Sequence, residues 1–261
     1  MVEANQQYSD EEVEQTFIEK PDILDKFKGA GKITDIAIKK AIELCVPGAD
    51  VYKISTEVNN IIEEEVKKVF SNKKSKNMER GIAFPCTISV DNIMGHFSPL
   101  ADESGIIEEG DVCKIVVGSH FDGYSANTAH THVASKDNAK VTGRKADVVL
   151  AAYNSYLAAQ RAIREASTNT EVTEAIAAVC KEFECEPVEG VLSHKLKRHL
   201  IDGNDSIINK ETPTQRVEEF EFTAGDVFYL DVFASTGEGK PKESELRCTV
   251  YKRELDVAYN L

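Results

Sequence analysis

The residues of this chain best suited to chemistry or charge recognition are its six histidines, its six cysteines and two lysine-rich stretches. His130 and His132 form a His-x-His pair whose spacing on a strand suits a metal ion. The hairpin pairing derived below turns that face away from the other candidate positions, so packed or surface histidines are the plainer reading. Gly237-Glu238-Gly239-Lys240 has the composition of a phosphate loop without its spacing, and reads as a turn. Two basic clusters could meet a phosphate backbone: Lys67, Lys68, Lys73, Lys74, Lys76 and Arg80, and then His194, Lys195, Lys197, Arg198 and His199. A charge run is more often a solvated face, and no stacking-aromatic motif accompanies either cluster, so base-specific readout is not supported. The cysteines Cys45, Cys86, Cys113, Cys180, Cys185 and Cys248 form no C-x-x-C pair and sit mostly in apolar patterns, as reduced thiols of a cytosolic or nuclear protein do.

The charge balance narrows the partners. Against 45 Asp and Glu stand 31 Lys and Arg, a net charge of −14 over 261 residues, which repels nucleic acid at long range and confines any contact with it to local basic patches. With 41% hydrophobic residues the chain has ample core material. No apolar run approaches the roughly 20 residues that span a bilayer, and Met1 to Glu14 is acidic where a signal peptide is basic and then apolar, so membrane and secretory classes are not expected.

Periodicity supplies the elements that must position these side chains. Residues 1–30 carry eight acidic and three basic side chains and read as a loosely attached arm. A helix is expected from about Lys32 to Cys45, with Ile33, Ala37, Ala41 and Leu44 on one face and Pro47-Gly48 as its stop. A second follows from about Val51 to Phe70 on the stripe Ile54, Val58, Ile61, Ile62, Val66 and Val69. Ser71 to Arg80 reads as a basic loop, and Gly81 to Val90 as a strand. Val112–Phe121 and Tyr124–Val133 form a hairpin about Asp122-Gly123, a favoured two-residue turn. That loop pairs Phe121 with Tyr124, Gly118 with Asn127 and Val116 with Ala129, which sets Val116 and Asn127 on one face. Two more helices are expected, about Lys145 to Glu165 (Val149, Ala152, Tyr153, Tyr156, Leu157, Ile163) and about Glu171 to Glu182, before strands resume.

An internal echo joins these elements. Gly110-Asp111-Val112 through Val117 lies on Gly225-Asp226-Val227 through Val232 at a constant offset of 115 residues, and a helix pair precedes each copy. The simplest architecture is a two-fold duplicated α+β domain. Val116 and Asp231 then occupy one place in the two halves. A dinuclear metal site needs several converging carboxylates, and this pair supplies one.

Several strings carry a resemblance. Gly95-His96-Phe97-Ser98-Pro99, the Asp111 to Val133 hairpin, Glu189 to His194 and Leu230 to Gly237 together resemble the type 2 methionine aminopeptidase family. Gly81-Ile82-Ala83-Phe84-Pro85, Val141 to Asp147, and Ser235 to Lys240 with Tyr251-Lys252-Arg253 are similar to its proliferation-associated, curved-DNA-binding branch. The resemblance covers nearly the whole chain from about residue 20. It implies the duplicated pita-bread α+β fold, with halves at about 31–143 and 144–261 after the acidic arm of residues 1–30, and with further terminal strands beyond Leu261 in the family. Catalytic members hold two metal ions with Asp, Asp, His, Glu and Glu. Carried over residue by residue, the first Asp falls on Val116, the second on Asn127, the His on His194 and the first Glu on Asp231, shorter by about 1.5 Å. The last Glu has no counterpart before Leu261. His96 matches the substrate-side His, and Asp202 stands where a second is expected. A degenerate metal site with no bound metal or other cofactor and no aminopeptidase activity is therefore expected; the alternative is a residual metallo-aminopeptidase removing N-terminal Met. A further reading keeps the vestigial pocket at His96 as a peptide-end binder. The resemblance also implies a scaffold that binds RNA or ribosomal particles, regulatory proteins and possible DNA in cytoplasm and nucleus, linked to growth and ribosome biogenesis.

Overall fold

The computed structural model describes residues 18–71, 75, 77–137 and 139–252. Helix α1 is Pro21–Leu44 and α2 is Val51–Lys68; strands β1 (Arg80–Val90), β2 (Val112–Phe121) and β3 (Tyr124–Val133) follow. The second half opens with α3 (Arg144–Ala162) and α4 (Asn169–Glu182) and continues in short strands: β4 (Glu186–Pro187), β5 (Leu192–Lys195), β6 (Ser206–Ile208), β7 (Phe228–Tyr229) and β8 (Ala234–Ser235).

The first half is an antiparallel meander in the order β1-β2-β3. At its tightest turn Asp122 and Gly123 both take positive φ, 55° and 80°, the geometry whose twist matches the flanking strands. The register is the expected one: Phe121 opposite Tyr124, Gly118 opposite Asn127, Val116 opposite Ala129. Consequently Cys113, Ile115, Val117 and Phe121 face one way and are fully buried with Ile33, Ala37 and Ala41 of α1 and Ile54, Val58, Ile62 and Val66 of α2. Lys114, Val116 and Gly118 face the other way. His130 and His132 stand opposite Ile115 and Cys113, on the helix side, away from Val116 and Asn127.

The sequence places the start of α1 too late. It begins at Pro21, where the missing N–H is harmless, and buries Ile23 and Ala30 ahead of Ile33, so residues 21–30 belong to the helix rather than to a loose arm; residues 1–17 lie outside the described residues. In α3 the expected stripe is also not the buried one. Ala151, Ser155 and Ala159 are buried, and their small side chains let α4 approach, with Ser155 Oγ 3.4 Å from the Ile176 carbonyl oxygen, to which it donates. Tyr153 and Tyr156 remain 59% and 38% exposed.

The strand expected from Val227 to Val232 is a ladder only at Phe228–Tyr229, against β5. Ser193 is the reason. Its hydroxyl accepts from Asp231 N at 2.9 Å and donates to Asp231 O at 3.3 Å, taking the place of a backbone partner. Beyond it the chain pairs with β4, and Val188 N donates to Phe233 O at 3.1 Å. A core of Val172, Ile176, Cys180, Ile207 and Phe222 lies beneath, with Phe220, Phe222 and Phe228 packed as an aromatic trio at centroid spacings of 5.2 to 5.9 Å.

The echo in sequence is an echo in geometry. Gly110 and Gly225 both take positive φ (85° and 93°); the following Asp111 and Asp226 carboxylates each accept the N–H three residues back, at Glu108 and Thr223. The N-caps of α2 and α4, Asp50 and Thr168, bridge to Ile106 and Glu221, again 115 apart. Gly48 N donates to Ile107 O and Ala166 N to Phe222 O, so Gly48 (φ 93°) and Ala166 (φ 64°) are one position filled twice. An L side chain in the left-handed region is strained by about 1 to 2 kcal/mol, offset by the lower chain entropy of Ala relative to Gly. Gly48→Ala should therefore lower stability by roughly 1 kcal/mol, and Ala166→Gly raise it by a few tenths to about 1 kcal/mol; denaturant unfolding of the two variants checks the pair of opposite signs.

Candidate functional site

The hairpin face carrying Lys114, Val116, Asn127, Ala129 and Thr131 forms one wall of a cleft of about 1300 Å³. The extended segment from Phe228 through Lys242 forms another, and α3 contributes Val149, Tyr153 and Tyr156. Two halves thus meet over one hollow. Val116, Asn127 and Asp231 all line it; His194, His96 and Asp202 do not.

At the first of these positions the cleft meets the isopropyl group of Val116, only 7% exposed. Asn127 offers a neutral Oδ1 that is buried and accepts no hydrogen bond from the described residues. Gly118 opposite it is required by closeness: a Cβ there would overlap Asn127 Oδ1 and sit 2.8 Å from Phe84 Cβ. Asp231 comes from the point where Ser193 interrupts the ladder, and burial pushes its carboxyl up to about 7. Burial also lowers Lys114, one pleat from Val116, to about 8, although Asp91 works to raise it and its Nζ donates to the Asp91 carbonyl at 2.8 Å. A lysine on this face is legible from the hairpin register, since it shares Val116's parity; the sequence reading passed over it.

His194 stands in β5 opposite Tyr229, and its Nδ1 donates to Gly203 O at 3.0 Å. Among the described residues no three His, Cys, Asp or Glu side chains converge so as to hold a metal ion. The donor set does not fit a dinuclear centre: an alkyl group, a neutral amide oxygen and one carboxyl offer too little negative charge for two divalent ions.

The other candidates sit apart. His96 has φ 59° in the β1–β2 connection, tilts over Phe84 at a centroid distance of 5.2 Å, and is held below its usual pKa by the surrounding protein. Asp202 pairs with Lys252 at 2.5 Å. Among the basic residues Arg80 is drawn into the protein: its guanidinium donates to the carbonyls of Val69 (2.7 Å), Ser75 (2.6 Å) and Phe70, closing the C-terminal end of α2, so it is not available to phosphate as the sequence suggested. Lys195 is likewise engaged by Asp226 (2.9 Å) and Asp205 (3.1 Å), and Arg198 by Asp122 (2.6 Å). Lys68 pairs with Glu65 at the surface. Lys67 and Lys197 are exposed, and Lys73, Lys74 and Lys76 lie outside the described residues. Of the cysteines, five are buried and Cys248 is exposed, all as free thiols. No helix among the described residues is long and apolar enough to cross a membrane.

Helix pairs backing two strand sets around a shared cleft define the pita-bread class of α+β proteins. The chain belongs to metallopeptidase family M24, whose model matches residues 25–239. Proliferation-associated protein A of Dictyostelium discoideum is 43% identical over 242 residues, 92% of this chain and 62% of that protein. The curved DNA-binding protein of Schizosaccharomyces pombe is 37% identical over 247 residues, 92% of this chain and 63% of that one. The branch expected from the strings at Gly81 and Val141 is that of these relatives. A thermophilic Arx1 structure superposes with a TM-score of 0.78 at 26% identity, over 90% of this chain and 71% of that chain. The chain spans less than two thirds of the length of these curated relatives.

Asp231 generates a prediction with a definite sign. Its folded pKa of about 7 lies above the ordinary 3.8, so between those values the native state holds a proton that the unfolded state has released, and stability falls as pH rises through that window. Above it the burden is complete, at most about 4 kcal/mol at 1.36 per unit. Asp231→Asn should raise the melting temperature at about pH 8, and the gain should shrink toward zero near pH 4; thermal melts across that range check it.

Proposed function

We propose that this chain is a non-catalytic scaffold built on an aminopeptidase frame, with two halves at about 31–143 and 144–261 and helix α1 reaching back to Pro21 ahead of the first. One observation carries the reading: the cleft wall positions that would hold a dinuclear centre present Val116, Asn127 and a single carboxyl, Asp231, whose pKa burial pushes up to about 7. A divalent ion placed there would be stripped of water without enough anionic oxygen to replace it. His194, the remaining ligand type, holds its ring against Gly203 instead.

The scaffold binds RNA or ribosomal particles and regulatory proteins, in cytoplasm and nucleus, in support of growth and ribosome production. The names of the proliferation-associated and curved DNA-binding relatives support this reading. After Arg80, Lys195 and Arg198 are taken by internal partners, the phosphate-facing role falls to Lys67 and Lys197 with Lys73, Lys74 and Lys76. A chain of net charge −14 binding through so few cations depends on them steeply.

Two measurements test this. Elemental analysis after purification without chelator should find far less than one divalent ion per chain, and a Met-initiated peptide should survive incubation with added cobalt or manganese; stoichiometric metal with turnover would restore a metallo-aminopeptidase. Charge reversal of Lys73, Lys74 and Lys76 together should weaken ribosomal RNA binding and lower the slope of log K against log salt by about 3. An unchanged slope would remove those lysines from the interface.

A further inference from the structure

The halves meet at a second place, remote from the cleft wall at Val116. The Asp122-Gly123 turn of the first half is seated against the turn Lys197–Leu200 of the second: Arg198 donates to Asp122 O at 3.0 Å and to Asp122 Oδ1 at 2.6 Å, and His199 N donates to Gly123 O at 2.9 Å. The His199 ring lies so close to Gly123 that any Cβ there would stand 2.5 to 2.6 Å from it. On the opposite side Lys26 of α1 holds Asp122 Oδ2 at 2.9 Å. The turn itself is fixed from within by His120, whose Nδ1 accepts the Gly123 N–H at 3.3 Å, and by Asp122 N, which donates to Glu79 O at 2.7 Å.

We propose that this junction is a proton-sensitive latch: neutral His120 holds the turn in the shape that receives Arg198 and His199, and a proton on its Nδ1 releases it. An imidazole nitrogen accepts a hydrogen bond only while it lacks a proton, so protonation converts the Gly123 contact into a clash of two N–H groups. The surrounding charge adds to the effect. Facing His120 are Glu79 ahead of β1, Asp122 in the turn and His199 from the second half. Asp122 is already bound by two cations, Lys26 and Arg198, so an imidazolium finds that carboxylate occupied and a second imidazole beside it, with Glu79 left to pull the other way. Burial and His199 lower the pKa of His120, against the pull of Glu79 and Asp122. The native state therefore refuses a proton that the unfolded chain accepts near pH 6.5, and the junction weakens as pH falls below that value. Asp122 is separable from this step. Burial works to raise its pKa, but hydrogen bonds from Lys26 and Arg198 outweigh it and hold the carboxyl below its usual value, so it loses its charge only in stronger acid.

Amide hydrogen exchange of the full chain at about pH 7.5 and about pH 5.5, corrected for intrinsic rates, reads the latch directly. Segments 120–125 and 196–200 should lose protection together on acidification. His120→Asn, whose Oδ1 can accept the Gly123 N–H without titrating, should keep it at the lower pH. His199→Gln should diminish the loss on acidification, because it removes a neighbour that discourages a proton on His120 in the closed junction and so narrows the gap between closed and open states. Unchanged protection in the parent chain, equal loss in His120→Asn, or a loss undiminished in His199→Gln would each overturn the proposal.

Discussion

Two residues, Asp122 and Gly123, decide where most of this molecule's informative side chains point. A two-residue turn with both φ angles positive leaves one register to β2 and β3, and a slip of one position would exchange the faces of every residue in the hairpin. The register that exists sends Ile115, Val117 and Phe121 into the core beneath α1 and α2, and sends Lys114, Val116 and Asn127 to the cleft. The same two residues are the surface on which the second half docks, through Arg198 and His199. Core, cleft and junction share that one constraint.

Between Val116 and Asp231 the cleft wall is short of negative charge. In a chain with 45 acidic residues the hollow between the halves displays Val116, a neutral Asn127 and an Asp231 that burial drives toward its protonated form, while Lys114 beside them is itself pushed toward neutrality by burial. Opposite shifts in an acid and a base lining one cleft have one cause, the burial of each group by the surrounding protein. Wall positions so short of anionic oxygen are a poor host for a divalent cation and a reasonable one for apolar or hydrogen-bonding groups. The exposed rings of Tyr153 and Tyr156 on α3 agree with that character.

Much of this was legible in the sequence, and the failures have physical causes. The hairpin was readable because Asp-Gly turn chemistry and strand alternation are local signals. The repeat was readable because its Gly-Asp turn requires a glycine at positive φ and an acid that accepts an N–H, the same demand at Gly110 and Gly225. The start of α1 was missed since charge counting over residues 21–30 hid the stripe of Ile23, Phe27 and Ala30 behind Pro21. The second-half strands were overextended because a serine hydroxyl can replace a backbone partner, and nothing local distinguishes Ser193 from an ordinary strand serine. The internal partners of Arg80 and Arg198 were hidden for a related reason. Arg198 and Asp122 are 76 positions apart, and Arg80 is bound by backbone carbonyls, which carry no sequence signature. A cation's availability is a tertiary property.

The two halves also separate what the fold demands from what the cleft does. Wherever the repeated positions shape the backbone, both copies keep the same geometry, even at the cost of placing Ala166 where Gly48 is at ease. Where they face the cleft, they diverge: Val116 in a full ladder on one side, Asp231 at a serine-bridged interruption on the other. The interruption is what withdraws Asp231 from the regular pairing, and its burial then sets its proton affinity. Fold and cleft chemistry are thus coupled at few points here: Asp226 both closes its turn and lines the hollow, whereas the side chains of Val116, Asn127 and Asp231 take no part in the turns, caps and bridges that close each half. A frame with that property can lose the charges of a metal centre without losing its shape, and its surface is then free to serve contacts that need a rigid body rather than a reaction.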